Sequence, residues 1–402
     1  MNILIVSDDL FINGSVNTLL VNNILSNIKD SNMNFIYYGD NGGDKEKNII
    51  EVKDKRYFLL KKILKSNKHK LFKFFQILFH PSLYLLFYPY KLNFNKFISS
   101  IYIREIKSII KDKNIDILIA ITAPFYTMIA VDYFKNIPHY YYKLDPFSTH
   151  YSIRNNKDLV LYESVLDNSA ESIFVTPEIY QDYLKNDVLS KNIHKIIKIN
   201  YPIKFIKNVK FNKDNKIKLL YIGTFYKDIR NPDYLLKILE YISTKIDNIE
   251  LLFAGSFAGF TDYEIEAILK RSYVNYLGTV KKDKIIDLYQ YSDFLISLGN
   301  TIINQVPSKT FEYIGLRKPI IHLAKNTKCP VIKYLKNYPS KLILYENESL
   351  DKATNELYDF ITNHMNEIIS IDKLKDCYSE FDINFIAEII KLKLCESEGQ
   401  IC

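Results

Sequence analysis

Eleven short, almost wholly apolar runs recur along this chain, and they alternate with segments of helical periodicity. Runs of this length, bounded by turn residues, read as strands buried on both faces of a parallel sheet. In the first half they are Asn2–Val6, Met33–Tyr38, Ile115–Ile121, His139–Leu144 and Ser172–Thr176. In the second half they are Lys218–Ile222, Ile249–Ala254, Val274–Leu277, Phe294–Leu298, Pro319–Leu323 and Lys341–Leu344. Helical patterns fall between them, among them Val16–Ile28, Pro232–Thr244, Asp262–Arg271, Lys282–Tyr289 and Lys309–Leu316. A strand–helix–strand order run through twice predicts an α/β protein of two doubly wound, Rossmann-like domains with parallel sheets. The composition turns to Lys, Asn and Pro between Asn200 and Lys216. The expected division is therefore a first domain over 1–203 and a second over 204–382. An amphipathic helix opens the remaining stretch, 383–402.

The charge is local. Between Lys53 and Lys73 nine basic residues face a single acid, Asp54, so this segment carries +8, the net charge of the whole chain. Aromatic residues and leucines follow from Phe74 to Tyr88. Lysines that reach lipid phosphates, next to rings that sit at headgroup level, suit an anionic membrane surface. The segment 53–97 is expected to be that contact, the alternative being a solvated helix followed by a core helix. A nucleic-acid partner is not expected, because Arg is scarce there and no reading motif accompanies the patch. The Met1–Leu10 stretch has no basic leader and reads as a buried strand, and no run of ~18 apolar residues is present to span a bilayer. The four cysteines, Cys329, Cys377, Cys395 and Cys402, lack CxxC spacing, so neither a disulfide framework nor a zinc site is signalled. The expectation is a cytoplasmic protein held peripherally on the inner face of the membrane.

Glycine is absent from 44 to 222, yet six glycines fall between Gly223 and Gly315. Gly223, Gly255, Gly278 and Gly299 each follow an expected strand. Strand carboxyl ends are where open α/β sheets bind ligands, and glycine lets backbone approach a phosphate. A single glycine there more often just makes a tight turn. No GxGxxG or GxxxxGK[ST] is present, which disfavours a standard dinucleotide fold and a P-loop kinase. The most informative stretch is 299–321. Pro307 and Ser308 open a helix, with Ser308 a candidate N-cap, so backbone N–H groups and the positive dipole end face the sheet's edge. Lys309 adds a charge suited to a diphosphate, and Glu312 lies on the same helix face, where a carboxylate can accept the hydroxyls of a ribose. Read alone, Lys309 and Glu312 are better taken as an ordinary surface pair on a helix.

The stretch Pro307–Ile321 resembles the sugar-nucleotide signature of family 4-like glycosyltransferases of the GT-B fold, in the branch reading Pro-Ser-Lys-x-x-Glu-Tyr-x-x-x-x-Lys-Pro-Ile. Leu219–Pro232, Leu251–Ser256, Val274–Val280 and Ser292–Asn300 resemble the strands and loops of the same domain. The first strand with Gly14 and Ser15, and Leu144–Ser148, resemble the family more weakly. The resemblance implies that Glu312 holds the nucleotide ribose, that backbone from Val306 through Pro307 and Ser308 to Lys309 faces the diphosphate, and that the backbone at Val280 meets the nucleobase. The family's first glutamate would fall at Asn304, so the donor sugar is left to Asn300 or Gln305. Thr224 stands where the family often has Arg, which leaves Arg230 or Lys227 to supply the cation, Arg230 being preferred because it precedes the Asn231-Pro232 helix start. The last helix is implied to cross back to the first domain.

Breaking a nucleotide-diphosphate bond to a sugar leaves negative charge on phosphate, and preorganised positive potential is the useful catalyst. Arg230, Lys309 and a helix N-terminus provide it with no metal, and no Asp-x-Asp follows a strand. Gly14 and Ser15, in the first strand-to-helix turn, are expected to face the cleft and approach the donor phosphate or the acceptor, and Gly223 is expected at the donor. Asp145 and Thr122 follow strands and are candidates to contact the acceptor hydroxyl, Asp145 as a general base or merely as an Asp-Pro turn. His139 reads as structural. The reading is a glycosyltransferase that moves sugar from a nucleotide-diphosphate donor, UDP- or GDP-linked, to a lipid-linked glycan acceptor in surface-polysaccharide assembly, with retention implied by the family. The alternatives are a nucleotide-sugar 2-epimerase of the same fold and a non-catalytic scaffold.

Overall fold

The computed structural model describes residues 1–10, 16–40, 48–58, 92–122, 125–149, 156–211, 215–301 and 306–396. The chain divides into two compact units. One is built from residues 1–200 together with a late helix, Ile383–Glu396, and the other is Tyr201–Asp382.

In the first unit the strands are β1 (Asn2–Asp9), β2 (Asn34–Asp40), β3 (Ile49–Glu51), β4 (Ile117–Thr122), β5 (His139–Lys143), β6 (Ser172–Val175) and β7 (Ile196–Lys198). They pair in the order β3-β2-β1-β4-β5-β6-β7, parallel throughout. The helices are α1 (Val16–Leu25), α2 (Leu92–Lys113), α3 (Tyr126–Asp132), α4 (Lys157–Ser169) and α5 (Pro177–Lys185). Strand periodicity sorts the core into two faces. Along β1, Leu4 and Val6 face a cluster with Ile98, Tyr102 and Met128, whereas Ile3 and Ile5 face one with Val21, Ile24, Ile386 and Ile390. The late helix thus covers the same face as α1, and the Tyr140 hydroxyl donates to the Lys393 carbonyl at 3.1 Å.

In the second unit the strands are β8 (Ile217–Tyr226), β9 (Ile249–Ala258), β10 (Val274–Gly278), β11 (Phe294–Leu298), β12 (Ile320–Ala324) and β13 (Lys341–Tyr345), all parallel in the order β10-β9-β8-β11-β12-β13. The helices are α6 (Asp233–Ser243), α7 (Asp262–Leu269), α8 (Lys282–Gln290), α9 (Lys309–Leu316), α10 (Val331–Leu335), α11 (Leu350–His364) and α12 (Ile371–Tyr378), and the late helix is α13. Local sequence sets the starts. Thr261 and Glu264 close a reciprocal capping box on α7, and Ser349 and Ser370 each cap the helix that follows. Both doubly wound sheets reverse strand order once, between β1 and β4 and between β8 and β11. The crevice at the carboxyl ends of such a strand pair is where this architecture binds ligands.

Strands β8 and β9 stay paired for ten residues, past the body of the sheet. Gly255 permits this. Its φ is +156°, and a Cβ there would lie 1.8 Å from the Gly223 carbonyl oxygen. Gly315 serves close packing in the same way, since a Cβ would sit 2.4 Å from the Lys204 carbonyl. Residues 203–207 are bound into this unit: Ile203 N–H donates to Phe381 O, and the Arg317 guanidinium donates to the carbonyls of Ile206, Lys207 and Ile369 at 2.8–2.9 Å.

Every expected strand is present. Two three-residue edge strands, β3 and β7, went unread. Cys329 and Cys377 are free thiols, whereas Cys395 on α13 is disulfide-bonded, which the cysteine spacing did not signal. No helix among the described residues is long and apolar enough to cross a membrane.

Candidate functional site

The second unit's order reversal gathers the loops after β8 and β11. The chain leaving β8 turns back at once: Arg230 N–H donates to Tyr226 O at 2.8 Å, and Thr301 N–H donates to Ile229 O at 3.1 Å, tying the two loops together. Arg230 then directs Nε and Nη2 to the Oδ1 of Asn300, at 2.9 and 2.7 Å. Asn300 is buried, so the guanidinium is held by a fixed amide. Among the described residues no carboxylate pairs with Arg230. A cation oriented by a neutral acceptor keeps its charge for an incoming anion. Gly223 lies beside it with a φ of +149°, a backbone conformation that suits glycine.

The second cation is on α9. Lys309 Nζ donates to Glu312 Oε2 at 2.5 Å and to the Tyr289 hydroxyl at 3.1 Å, and the Tyr289 hydroxyl donates to the same Oε2 at 2.7 Å. The three groups close a polar triangle. Lys309 and Glu312 remain partly open to solvent, at 31% and 43%, while Tyr289 is buried. Ser308 stands at the N-cap position in helical conformation, and its hydroxyl caps nothing, which corrects the sequence expectation. The amides of Thr310 and Phe311 instead close tight turns onto Pro307 and Ser308. Val280 packs, half-buried, on the apolar cluster that contains Tyr289 and Phe311.

On β12, His322 is fully buried. Its Nδ1 meets Ser297 Oγ at 3.0 Å and its Nε2 meets Cys329 Sγ at 3.3 Å. Burial, aided by the positive charge of Arg230, pushes the imidazole down to about 3. The unfolded value is ~6.5, so this histidine's contribution to stability is complete above pH ~6.5 and is lost as pH falls towards 3, at ~1.4 kcal/mol per pH unit. Urea-unfolding free energies between pH 4 and 6 should therefore fall more steeply for the wild type than for His322→Gln. Equal slopes would exclude a buried neutral imidazole.

In the first unit, Asp145 follows β5 and is half-buried. The residues around it are firmly held. Phe147 stacks on Phe125 at 3.8 Å, and Ser148 donates through N–H and Oγ to Glu163 at 2.9 and 2.5 Å. Thr122 is fully buried and its hydroxyl donates to Tyr142 O, so it is not available to an acceptor. His139 is buried against Ile137 O and Ser169 Oγ, as a structural residue would be. At the end of β1, the Asp8 carboxylate receives the hydroxyls of Tyr57 and Tyr126, a cluster the sequence reading missed. Lys143, Glu163 and Asp167 form a buried charge network it also missed. Gly14, Ser15 and Gln305 lie outside the described residues, as do Asn304 and residues 59–91 of the basic-aromatic segment. In the described part of that segment, Asp54 pairs with Arg56 and with Arg104 on α2, each at 2.8 Å. Among the described residues no group of three or more His, Cys, Asp or Glu is placed to hold a metal ion.

Residues 202–369 match the family model described as glycosyl transferases group 1. Comparison with curated proteins finds no match. Solved structures match over nearly the whole chain at low identity. Sucrose-phosphate synthase from Thermosynechococcus elongatus is 10% identical, with a TM-score of 0.66 and 99% of each chain covered. A glycosyltransferase from Rickettsia africae is 14% identical, with a TM-score of 0.56 and 97% of each chain covered. UDP-GlcNAc 2-epimerase from Neisseria meningitidis, bound to UDP-GlcNAc, is 12% identical, with a TM-score of 0.58 over 98% of this chain and 100% of that one. At such identities these likenesses bear on the fold. The fold is GT-B, and the matched domain indicates a glycosyltransferase enzyme.

Proposed function

We propose that this chain transfers a sugar from a nucleotide-diphosphate donor, UDP- or GDP-linked, to a lipid-linked glycan acceptor in cell-surface polysaccharide assembly. The observation that carries the donor half is Arg230, held on Asn300 with no carboxylate partner among the described residues, at the crevice where β8 and β11 part. As the sugar–phosphate bond breaks, negative charge grows on the leaving diphosphate, and a cation already oriented there needs no reorganisation. Lys309 supplies the second charge, Glu312 is assigned to the ribose, and Gly223, Val280, Pro307 and Ser308 to the walls around the nucleotide. Gly14, Ser15 and Gln305 are assigned to the donor on the family resemblance alone. Positive charge from protein side chains supports a metal-independent transfer, and retention at the anomeric carbon follows the family 4 resemblance. Asp145 is the candidate contact to the acceptor hydroxyl. The membrane half rests on sequence: the +8 segment and the aromatics after it, within 53–97, suit the anionic inner face of a plasma membrane.

The 2-epimerase likeness favours one second reading, a nucleotide-sugar epimerase. That chemistry needs no acceptor, so product analysis of donor alone separates the two.

The site is tested by thermal shift with UDP, GDP, CDP and ADP on the wild type and on Lys309→Ala. One nucleotide at 100 times its dissociation constant should stabilise the wild type by ~2.7 kcal/mol and the variant clearly less. No shift with any nucleotide would overturn the donor assignment and favour a scaffold that kept the fold.

A further inference from the structure

We infer that Tyr289 is a positioning residue for nucleotide binding, its hydroxyl keeping the Glu312 carboxylate aimed at the donor ribose when Lys309 turns to the diphosphate. The inference rests on the nucleotide-sugar reading above and deepens it.

Lys309 and Tyr289 both donate to Oε2 of Glu312, at 2.5 and 2.7 Å. Oε1 has no partner among the described residues, and Glu312 is 43% exposed, so that oxygen is the one open to ligand hydroxyls. A lysine is a compact charge on a flexible stem, and a diphosphate would draw it away. A half-exposed carboxylate that loses its cation regains rotamer freedom, and ordering it again opposes binding. Tyr289 removes that difficulty because it cannot follow the lysine. It is 7% exposed, and its ring packs edge-on against buried Tyr313 at 6.1 Å. The end of α8 is pinned: Ser292 Oγ donates to Tyr289 O at 3.2 Å, and the buried Lys318 donates to Gln290 O at 3.0 Å. Burial and the neighbouring Glu312 raise the phenol far above its ordinary value, so it stays a donor. A hydrogen bond from a fixed phenol to a carboxylate is of the charge-assisted kind.

The test is calorimetric titration of UDP against 2′-deoxy-UDP, and of GDP against 2′-deoxy-GDP, on the wild type, Tyr289→Phe and Glu312→Ala. The wild type should prefer one ribonucleotide over its deoxy form. Tyr289→Phe should lose about tenfold in affinity for that ribonucleotide and bind the deoxynucleotide as the wild type does. Glu312→Ala should abolish the preference. A preference kept intact in Tyr289→Phe, or an equal loss for both nucleotides, would overturn the inference and leave the donor site standing; the equal loss is what a merely structural tyrosine would give. A wild type that binds neither UDP nor GDP overturns the nucleotide reading itself, and this inference with it.

Discussion

Lys143→Met should destabilise the protein by about 3–5 kcal/mol. The Lys143 ammonium is 1% exposed and donates to Glu163 at 2.8 Å, Asp167 at 2.6 Å and the Tyr183 hydroxyl at 2.7 Å. Burial opposes its charge, but Asp167 and Glu163 together hold its pKa above the ordinary lysine value. Without the lysine, two carboxylates remain in a dry site with no cation, and that loss exceeds whatever the network contributes as a whole. Urea unfolding followed by tyrosine fluorescence (the chain has no tryptophan) measures the change. The triple variant Lys143→Met/Glu163→Gln/Asp167→Asn should recover much of it. A single variant as stable as the wild type would mean that the pocket is wetter than its burial implies. Glu163 also receives both donors of Ser148, so the single variant should loosen the segment that carries Asp145.

Arg230→Ala should lower kcat for sugar transfer by ~10²–10³-fold, the range seen when one preorganised group facing developing charge is removed. Arg230→Lys should recover little, because an ammonium cannot use Asn300 through the two-point fork that orients the guanidinium. Steady-state kinetics with the donor named by the thermal-shift panel would check this. A variant with unchanged kcat and raised KM would reassign Arg230 to ground-state binding.

The sheets were legible because parallel strands covered on both faces are continuously apolar, and eleven such runs leave little choice of architecture. The edge strands Ile49–Glu51 and Ile196–Lys198 were not, because three residues are too few for either period to register. Arg230, Asn300, Lys309 and Glu312 were read as site candidates for different reasons. Lys309, Glu312 and Asn300 came from the resemblance of the 299–321 stretch to a nucleotide-sugar signature, and Arg230 from its place before the Asn231-Pro232 helix start. That Asn300 holds Arg230 was not visible, since the partners are seventy positions apart. Tyr289 ended the expected helix Lys282–Tyr289 and Lys143 lay within the expected strand His139–Leu144, and neither was singled out. Their chemistry depends on partners that only tertiary structure supplies. Ser308 shows the reverse failure: the right residue type stood at a helix start, and a tighter first turn took the place of its cap.

The placement of α13 bears on how the molecule is made. Its apolar residues Ile386, Ala387, Ile390 and Leu394 complete the core that includes Ile3 and Ile5, yet all of Tyr201–Asp382 is translated in between. At ~5–20 residues per second that interval is on the order of ten to forty seconds. Throughout it, the sheet face that α1 shares with α13 has only part of its cover. The unit of residues 1–200 is therefore completed only after the whole of Tyr201–Asp382 has been made, and its remaining apolar surface stays open until then.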